Sequence, residues 1–344
     1  MWKVARKLNL DPEMILDFSS NINDFIGRTQ IYSDSDISSY LEPLAKFLNI
    51  SVSRITLGAG LTYFIHRFPS WYSTERSLIV TPTFGEYIHS ASVYTKKYRT
   101  ISFDELLMNL EGILKDFRPQ SIYLTRPEST TGNLYDANEV RKVIQISLES
   151  GCKVFIDEAF IEFVGNWREK SLIYEVDEFS NLYVGRSLSK ILGNPNLRAG
   201  YIISDDKNSR ELQARMEPWL LSQRDLETIR DFDFSILESL PDRVKMCRDY
   251  LIDSMEKLGF KHLGNPMANY VTFKVPRGLS IDMVEAWLES RGIMIRNLRD
   301  YPELGDGYFR LAVRKIETEK ILIDSLKELM EKSASAAGGE GLDL

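Results

Sequence analysis

Short, nearly continuous apolar runs recur along this chain, and stretches of helical periodicity separate them. Ile55-Thr56-Leu57-Gly58, Ser77-Leu78-Ile79-Val80, Ser121-Ile122-Tyr123-Leu124-Thr125, Val154-Phe155-Ile156-Asp157 and Tyr183-Val184-Gly185 each read as a buried strand ending in a turn or loop. Leu41, Leu44, Phe47 and Leu48 fall at helical spacing, and a second helical run passes through Phe64, Ile65 and Phe68. Val140, Val143, Ile144 and Leu148 predict a helix over residues Ala137–Glu149. Strands alternating with helices indicate an α/β fold with a mostly parallel sheet. In open sheets of this kind ligands sit at the carboxyl ends of the strands. Asp157, Lys190 and the glycine turn Gly58-Ala59-Gly60 all fall there.

The pattern changes after residue 235. A helix from Pro241 to Leu258 leads into a smaller α+β part. This part contains Tyr270–Val275, a helix near Ile281–Ser290, Ile293–Arg296, a strand over Tyr308–Arg314 and a last helix. The reading therefore divides the chain into an N-terminal arm over 1–28, a large domain over 29–235, a small domain over 236–332 and a disordered tail over 333–344. The arm is expected to hold a short helix, with Val4, Leu8 and Leu10 as contacts. An ordered loop over Leu16–Gly27 follows, fixed by its apolar residues.

Composition narrows the functional classes. With 344 residues the chain can bury a full core as one large domain or two. A net charge of −7 argues against a nucleic-acid partner. No apolar run approaches the ~20 residues of a membrane span, and the N-terminus has no apolar signal core, so the expected compartment is the cytoplasm. Cys152 and Cys247 give neither a disulfide framework nor metal spacing, and three histidines leave little for a metal site.

The candidate chemistry centres on Lys190. A lysine among small hydroxyl residues, after a buried-strand pattern, is a candidate for imine formation with a carbonyl group such as the aldehyde of pyridoxal phosphate. That cofactor needs an acid facing its pyridine nitrogen, which Asp157 could supply. Its phosphate needs donors, and Ser187 and Arg198 flank the lysine; the planar fork of arginine suits phosphate. The glycine turn before Leu61 adds a helix N-terminus suited to an anion. Each piece alone is also compatible with a structural role. The ordered set of Asp157, Ser187-Leu188-Ser189-Lys190 and Arg198 resembles fold-type I pyridoxal phosphate enzymes, the aspartate aminotransferase superfamily.

Further segments sharpen this resemblance. Asp17-Phe18-Ser19-Ser20-Asn21-Ile22-Asn23 and the stretch from Gly292-Ile293-Met294-Ile295-Arg296 to Phe309-Arg310-Leu311-Ala312-Val313-Arg314 resemble L-threonine-O-3-phosphate decarboxylases of cobalamin synthesis, close relatives of histidinol-phosphate aminotransferases. The resemblance runs from about Asp17 to Leu326. It implies a large mostly parallel domain with a small α+β domain, and a homodimer in which Tyr32 reaches the cofactor phosphate of the other subunit; packing at a helix entry is the alternative for Tyr32. It implies cofactor contacts from Gly60, Leu61, Phe84, Ser129, Asp157, Phe160, Ser187, Ser189, Lys190 and Arg198. Phe84, in Pro82-Thr83-Phe84-Gly85-Glu86-Tyr87, would stack on the ring, with Tyr87 as the alternative. Asn21 would lie near the substrate, Arg310 would grip its α-carboxylate and Arg296 its phosphate; a surface charge is the alternative for either arginine.

Two departures stand out. Arg126-Pro127-Glu128-Ser129-Thr130-Thr131-Gly132 carries Ser129 where the family has asparagine, and a hydroxyl lacks the amide's geometry. The family's leading His-Gly-Gly segment would fall before Met1. The expected reaction is decarboxylation of a phosphorylated amino acid, L-threonine O-3-phosphate, in cobalamin biosynthesis. The alternatives are transamination of histidinol phosphate or a similar amino acid, and a weakly active binding protein of the same fold.

Overall fold

The computed structural model describes residues 1–23, 25 and 32–338. Asp24, Ile26 and Gly27 of the expected N-terminal loop and residues 339–344 of the expected tail lie outside the described residues.

The first seven strands are β1 (Ile55–Gly58), β2 (Arg76–Val80), β3 (Lys97–Ile101), β4 (Ser121–Thr125), β5 (Lys153–Asp157), β6 (Leu182–Ser187) and β7 (Gly200–Ile203). They form one sheet in the order β1-β7-β6-β5-β4-β2-β3. All neighbours are parallel except β7, which is antiparallel to both β1 and β6. β1, β4, β6 and β7 are buried along their whole length, as runs without alternation require when helices cover both faces of a sheet. β3 escapes the apolar pattern: Lys97 and Arg99 lie on an exposed edge, where charge discourages pairing with another chain.

Helices α1 (Trp2–Leu8), α2 (Ser38–Leu48), α3 (Leu61–Tyr72) and α4 (Glu86–Tyr94) precede β3. On one face of the sheet α3 and α4 pack Leu61, Phe64, Phe68 and Ala91 against Tyr123, Phe155 and Tyr183. The opposite face buries Leu41, Leu44, Leu106, Val140 and Ile144 over Leu78, Ile122, Val154 and Val184.

The remaining strands, β8 (Lys261–His262), β9 (Tyr270–Lys274), β10 (Arg296–Asn297) and β11 (Tyr308–Ala312), form an antiparallel sheet in the order β10-β11-β9-β8. It shares a core with the helices Leu240–Lys257, Ile281–Glu289 and Ile316–Gly338 through Leu251, Met255, Phe273, Val284, Phe309 and Leu326. Among the described residues no helix is long and apolar enough to cross a membrane.

The structure departs from the sequence reading in several places. Phe160-Ile161-Glu162-Phe163, expected to extend the Asp157 strand, instead turns through a short 3-10 segment, Ile161–Phe163. The turn carries Glu162 into an ion pair with buried Arg186, which a straight strand would not do. The strand expected over Ile293–Arg296 is only Arg296–Asn297, and the last strand stops at Ala312. The final helix runs on to Gly338, into the stretch expected to be disordered; alanine is a strong helix former. Leu16, Phe18, Ile22 and Phe25, expected to fix the N-terminal loop, are exposed, because no described residue of the chain covers them.

Candidate active site

The carboxyl ends of β4, β5 and β6 open into a cavity of about 450 Å3, which the small sheet closes from the other side. Gly60, Leu61, Phe84, Ser129, Asp157, Phe160, Ser187, Ser189, Lys190, Arg198, Arg296 and Arg310 all line it. Such a volume suits a small molecule or cofactor. A larger cavity of about 590 Å3 lies beside residues 33–41 and 216–221, and among the described residues no lysine, arginine or histidine lines it.

Asp157 ends β5 and sits between Thr125 of β4 and Gly185 of β6. One carboxylate oxygen accepts the Ala159 N–H at 2.8 Å and the other accepts the Tyr87 hydroxyl at 2.7 Å. Burial pushes the Asp157 carboxyl up to about 6 from 3.8, although both hydrogen bonds and the charge of Lys190 pull it down. Tyr87 is itself buried, and burial beside Asp157 raises its pKa, which keeps it a donor.

The sign of the pH dependence follows from that shift. A raised carboxyl penalises the folded state wherever the unfolded group is ionised. The cost is absent well below pH 3.8, grows as pH rises towards 6 and is complete above that. A cation facing Asp157 would cancel it. Asp157→Asn is therefore expected to stabilise the ligand-free protein at pH 7.5 by up to about 3 kcal/mol and to change little at pH 4, read as urea midpoints.

At the other end of the cavity α3 begins at Gly60 with no side-chain cap. Its first N–H groups therefore have no partner within the helix, and Leu61 and Thr62 line the cavity. The sheet makes room for this helix end with glycines. A Cβ on Gly200 would lie 2.2 Å from the Leu61 nitrogen, and one on Gly185 would lie 2.7 Å from Leu61 Cδ1. The Arg198 guanidinium rests over Gly60, whose φ of +83° and added Cβ contact of 3.0 Å both favour glycine. Ser187 ends β6, and Ser189 donates to the Leu197 carbonyl. Lys190 projects from the short helix Leu188–Ile191 and has no ion-pair partner among the described residues. Uncapped N–H groups, the Ser187 hydroxyl and Arg198 make one end of the cavity a site for an anion.

The third wall comes from the loop after β4. Buried Glu128 organises it, accepting from the backbone and hydroxyl groups of both Thr130 and Thr131. Tyr270 donates to the Glu128 carbonyl at 2.8 Å and Thr272 to the Thr130 carbonyl at 2.6 Å, which ties the loop to β9. Arg310 donates to the Ser129 carbonyl and lies over the Tyr270 ring at 4.8 Å. The Ser129 hydroxyl is buried without a hydrogen-bond partner among the described residues. A buried donor left unpaired is costly, so this atom fits a ligand group in the cavity.

Behind the site lies a charged cluster that sequence reasoning missed. Arg186 is fully buried between Glu158, at 2.9 Å, and Glu162. Burial works against its charge, but the two carboxylates outweigh this and raise its pKa. Ser171 and the Leu172 N–H complete the Glu158 shell at 2.7 and 2.9 Å. The cluster joins the ends of β5 and β6 directly behind Asp157 and Ser187.

Asn21 and Tyr32 do not line the cavity. Asn21 is exposed, and Tyr32 packs on Trp219 with ring centroids 4.8 Å apart. Phe84 lines the cavity, whereas Tyr87 packs behind Asp157. Thr62, Thr125, Pro127, Ala159, Pro195 and Tyr301 line it as well and were not singled out from the sequence. Thr125 carried a usable signal, its position at a strand's carboxyl end. Tyr301 carried none.

Comparison with known proteins places this geometry. An adenosylcobalamin biosynthesis bifunctional protein of Leptospira interrogans is 26% identical over 95% of this chain, which spans 40% of that protein's length. A putative threonine-phosphate decarboxylase of Caldanaerobacter subterraneus subsp. tengcongensis is 25% identical over 88% of this chain and 83% of its own. A histidinol-phosphate aminotransferase of Methanocaldococcus jannaschii is 25% identical over 95% and 92%. Among solved structures, the histidinol-phosphate aminotransferase from Clostridium acetobutylicum superposes with a TM-score of 0.79 at 22% identity, covering 88% of this chain and 91% of that one. The fold is that of the fold-type I aminotransferases. Residues 12–326 match the aminotransferase class I and II family, and the chain belongs to that family.

Proposed function

We propose that this protein is a pyridoxal phosphate-dependent carboxy-lyase that converts L-threonine O-3-phosphate to (R)-1-aminopropan-2-yl phosphate. The observation that carries the reading is a register. Arg296 and Arg310 lie directly opposite each other on β10 and β11, and both line the cavity. Like charges facing across strands are unfavourable without a counter-ion. Asp300 supplies one to Arg296, whereas Arg310 has no ion-pair partner among the described residues. A phosphorylated amino acid brings two further anions, a phosphate and an α-carboxylate. Arg310, steadied by Ser129 and Tyr270, suits the carboxylate. Arg296, more exposed and paired with Asp300, suits the phosphate.

The residues present fit the cofactor. Asp157 would face its ring nitrogen and Lys190 its aldehyde, with Phe84 and Phe160 against the ring. The Ser129 hydroxyl would pair with a ring substituent. Gly60, Leu61, Ser187, Ser189 and Arg198 would hold the phosphate. Bound there, pyridoxal phosphate would supply an electron sink for the pair left when a bond to Cα breaks. Arg310 fixes the carboxylate and so selects which bond to Cα is aligned for cleavage. The Lys190 amine would return a proton to Cα after carbon dioxide leaves. In a homodimer the exposed Tyr32 would serve the other subunit's cavity. The relatives named for threonine-phosphate decarboxylation and adenosylcobalamin synthesis support a role in cobalamin biosynthesis.

The relative named histidinol-phosphate aminotransferase supports a second reading, amino transfer to a 2-oxo acid. Histidinol phosphate has a phosphate but no carboxylate, so Arg310 would then serve only the 2-oxo acid. Substitution separates the two readings. Arg296→Gln is expected to raise KM for O-phosphothreonine about 10- to 100-fold with kcat nearly unchanged, and Arg310→Gln to lower kcat/KM for acceptor-free carbon dioxide release about 100-fold or more. Steady-state kinetics of both variants test this. Unchanged kinetics in Arg310→Gln would contradict it.

A further inference from the structure

We propose that His66, Glu86 and His89 form a binding site for a divalent transition-metal ion, Zn2+ in particular, joining α3 to α4 outside the cavity. Two of the chain's three histidines meet here, although their number had suggested no metal site. Glu86 and His89 are three residues apart on α4 and so share a face, and His66 comes from α3 opposite. Glu86 Oε2 accepts from His66 Nε2 at 2.8 Å and from His89 Nδ1 at 3.3 Å. The three donor atoms lie within 4.8 Å of one another. The imidazole rings meet edge to face, with centroids 5.6 Å apart at 84°.

Two imidazoles and one carboxylate are a donor set suited to Zn2+, with a water as the fourth ligand. Donors about 2.0–2.1 Å from a tetrahedral ion are about 3.3 Å apart. The Glu86–His89 pair already has that spacing, the His66–Glu86 pair needs to open by about half an ångström, and the two imidazole nitrogens, within 4.8 Å of each other, close by up to about 1.5 Å through side-chain rotation. His89 is the most exposed of the three, so the open side faces water.

The placement gives the ion a consequence. The N-terminus of α3 forms the anion end of the cavity, while α4 follows Phe84 and carries Tyr87, the donor to Asp157. An ion at this site clamps together the two helices that hold opposite ends of the cavity.

The test uses the full chain, dialysed against a chelator and titrated with Zn2+ by calorimetry at pH 7.5. The expected result is one ion per chain, with affinity at least about tenfold weaker in His66→Gln and in His89→Gln. His262→Gln, remote from the site, serves as the control and leaves the affinity unchanged. Binding also weakens at pH 5.5, because imidazole ligands must be neutral. Co2+ gives the visible bands of a four-coordinate ion in the wild-type chain and not in the two variants. If His66→Gln fails to fold, the more exposed His89→Gln carries the test. Absence of Zn2+ binding, or equal affinity in the wild type and His89→Gln, overturns the proposal and leaves these residues as a hydrogen-bonded surface group.

Discussion

Lys190→Ala is expected to abolish turnover, by at least about 1,000-fold, and to remove the visible absorption band of the protein reconstituted with pyridoxal phosphate, while the fold survives. The reason is the separation of chemistry from packing at this position. Lys190 lines the cavity from a short helix, its side chain lies in the open, and it has no ion-pair partner among the described residues. Surface changes of that kind move stability by only ~0.5 kcal/mol. Its amine, by contrast, is the proposed nucleophile and proton carrier of the cavity, and among the described residues no other lysine lines the wall. Absorption spectra, circular dichroism and turnover, measured on one preparation, separate the two effects. A Lys190→Ala protein that keeps both the band and its activity contradicts the assignment.

The largest stability effect is expected at Arg186. Arg186→Met leaves buried Glu162 without its cation and leaves Glu158 with only Arg126, at 3.8 Å. Removing one partner of a buried ion pair costs about 3–5 kcal/mol, which for a chain of this size lowers the unfolding midpoint by about 5 °C. The loss is expected to come largely from the stranded Glu162 carboxylate. The double variant Arg186→Met, Glu162→Gln should therefore recover most of the stability, because an uncharged group at 162 needs no counter-ion and Glu158 keeps Arg126. Thermal unfolding of the three proteins decides this. Equal midpoints for wild type and Arg186→Met would show that the cluster adds nothing. The effect also reaches the site, because the cluster locks the ends of the strands that carry Asp157 and Ser187.

How legible each part was in the sequence depended on range. The central strands were readable because both faces are covered, so burial wrote itself as unbroken apolar runs such as Val154-Phe155-Ile156. The edge strand β3 was not, because solvent allows it Lys97 and Arg99. The cavity wall was readable where a residue type has few uses in its place, as with Lys190, Asp157 and the glycines before α3. Tyr301, Glu128 and Tyr270 act through contacts between segments distant along the chain, and no local pattern marks such contacts. Arg186 lies between Tyr183-Val184-Gly185 and Ser187-Leu188-Ser189-Lys190, both read from the sequence, yet only the turn after Asp157 reveals its carboxylate partners. The N-terminal segment shows the reverse failure. Its apolar residues predicted local packing, but burial requires a covering surface, and the described residues of one chain supply none.

The central claim, decarboxylation directed by the paired arginines, is tested most directly by carbon dioxide release. The protein, reconstituted with pyridoxal phosphate, is given O-phosphothreonine with no 2-oxo acid present. Carbon dioxide and amine are expected in equal amounts, in excess over enzyme. No carbon dioxide, with turnover appearing only when histidinol phosphate and a 2-oxo acid are supplied together, would contradict it and select amino transfer.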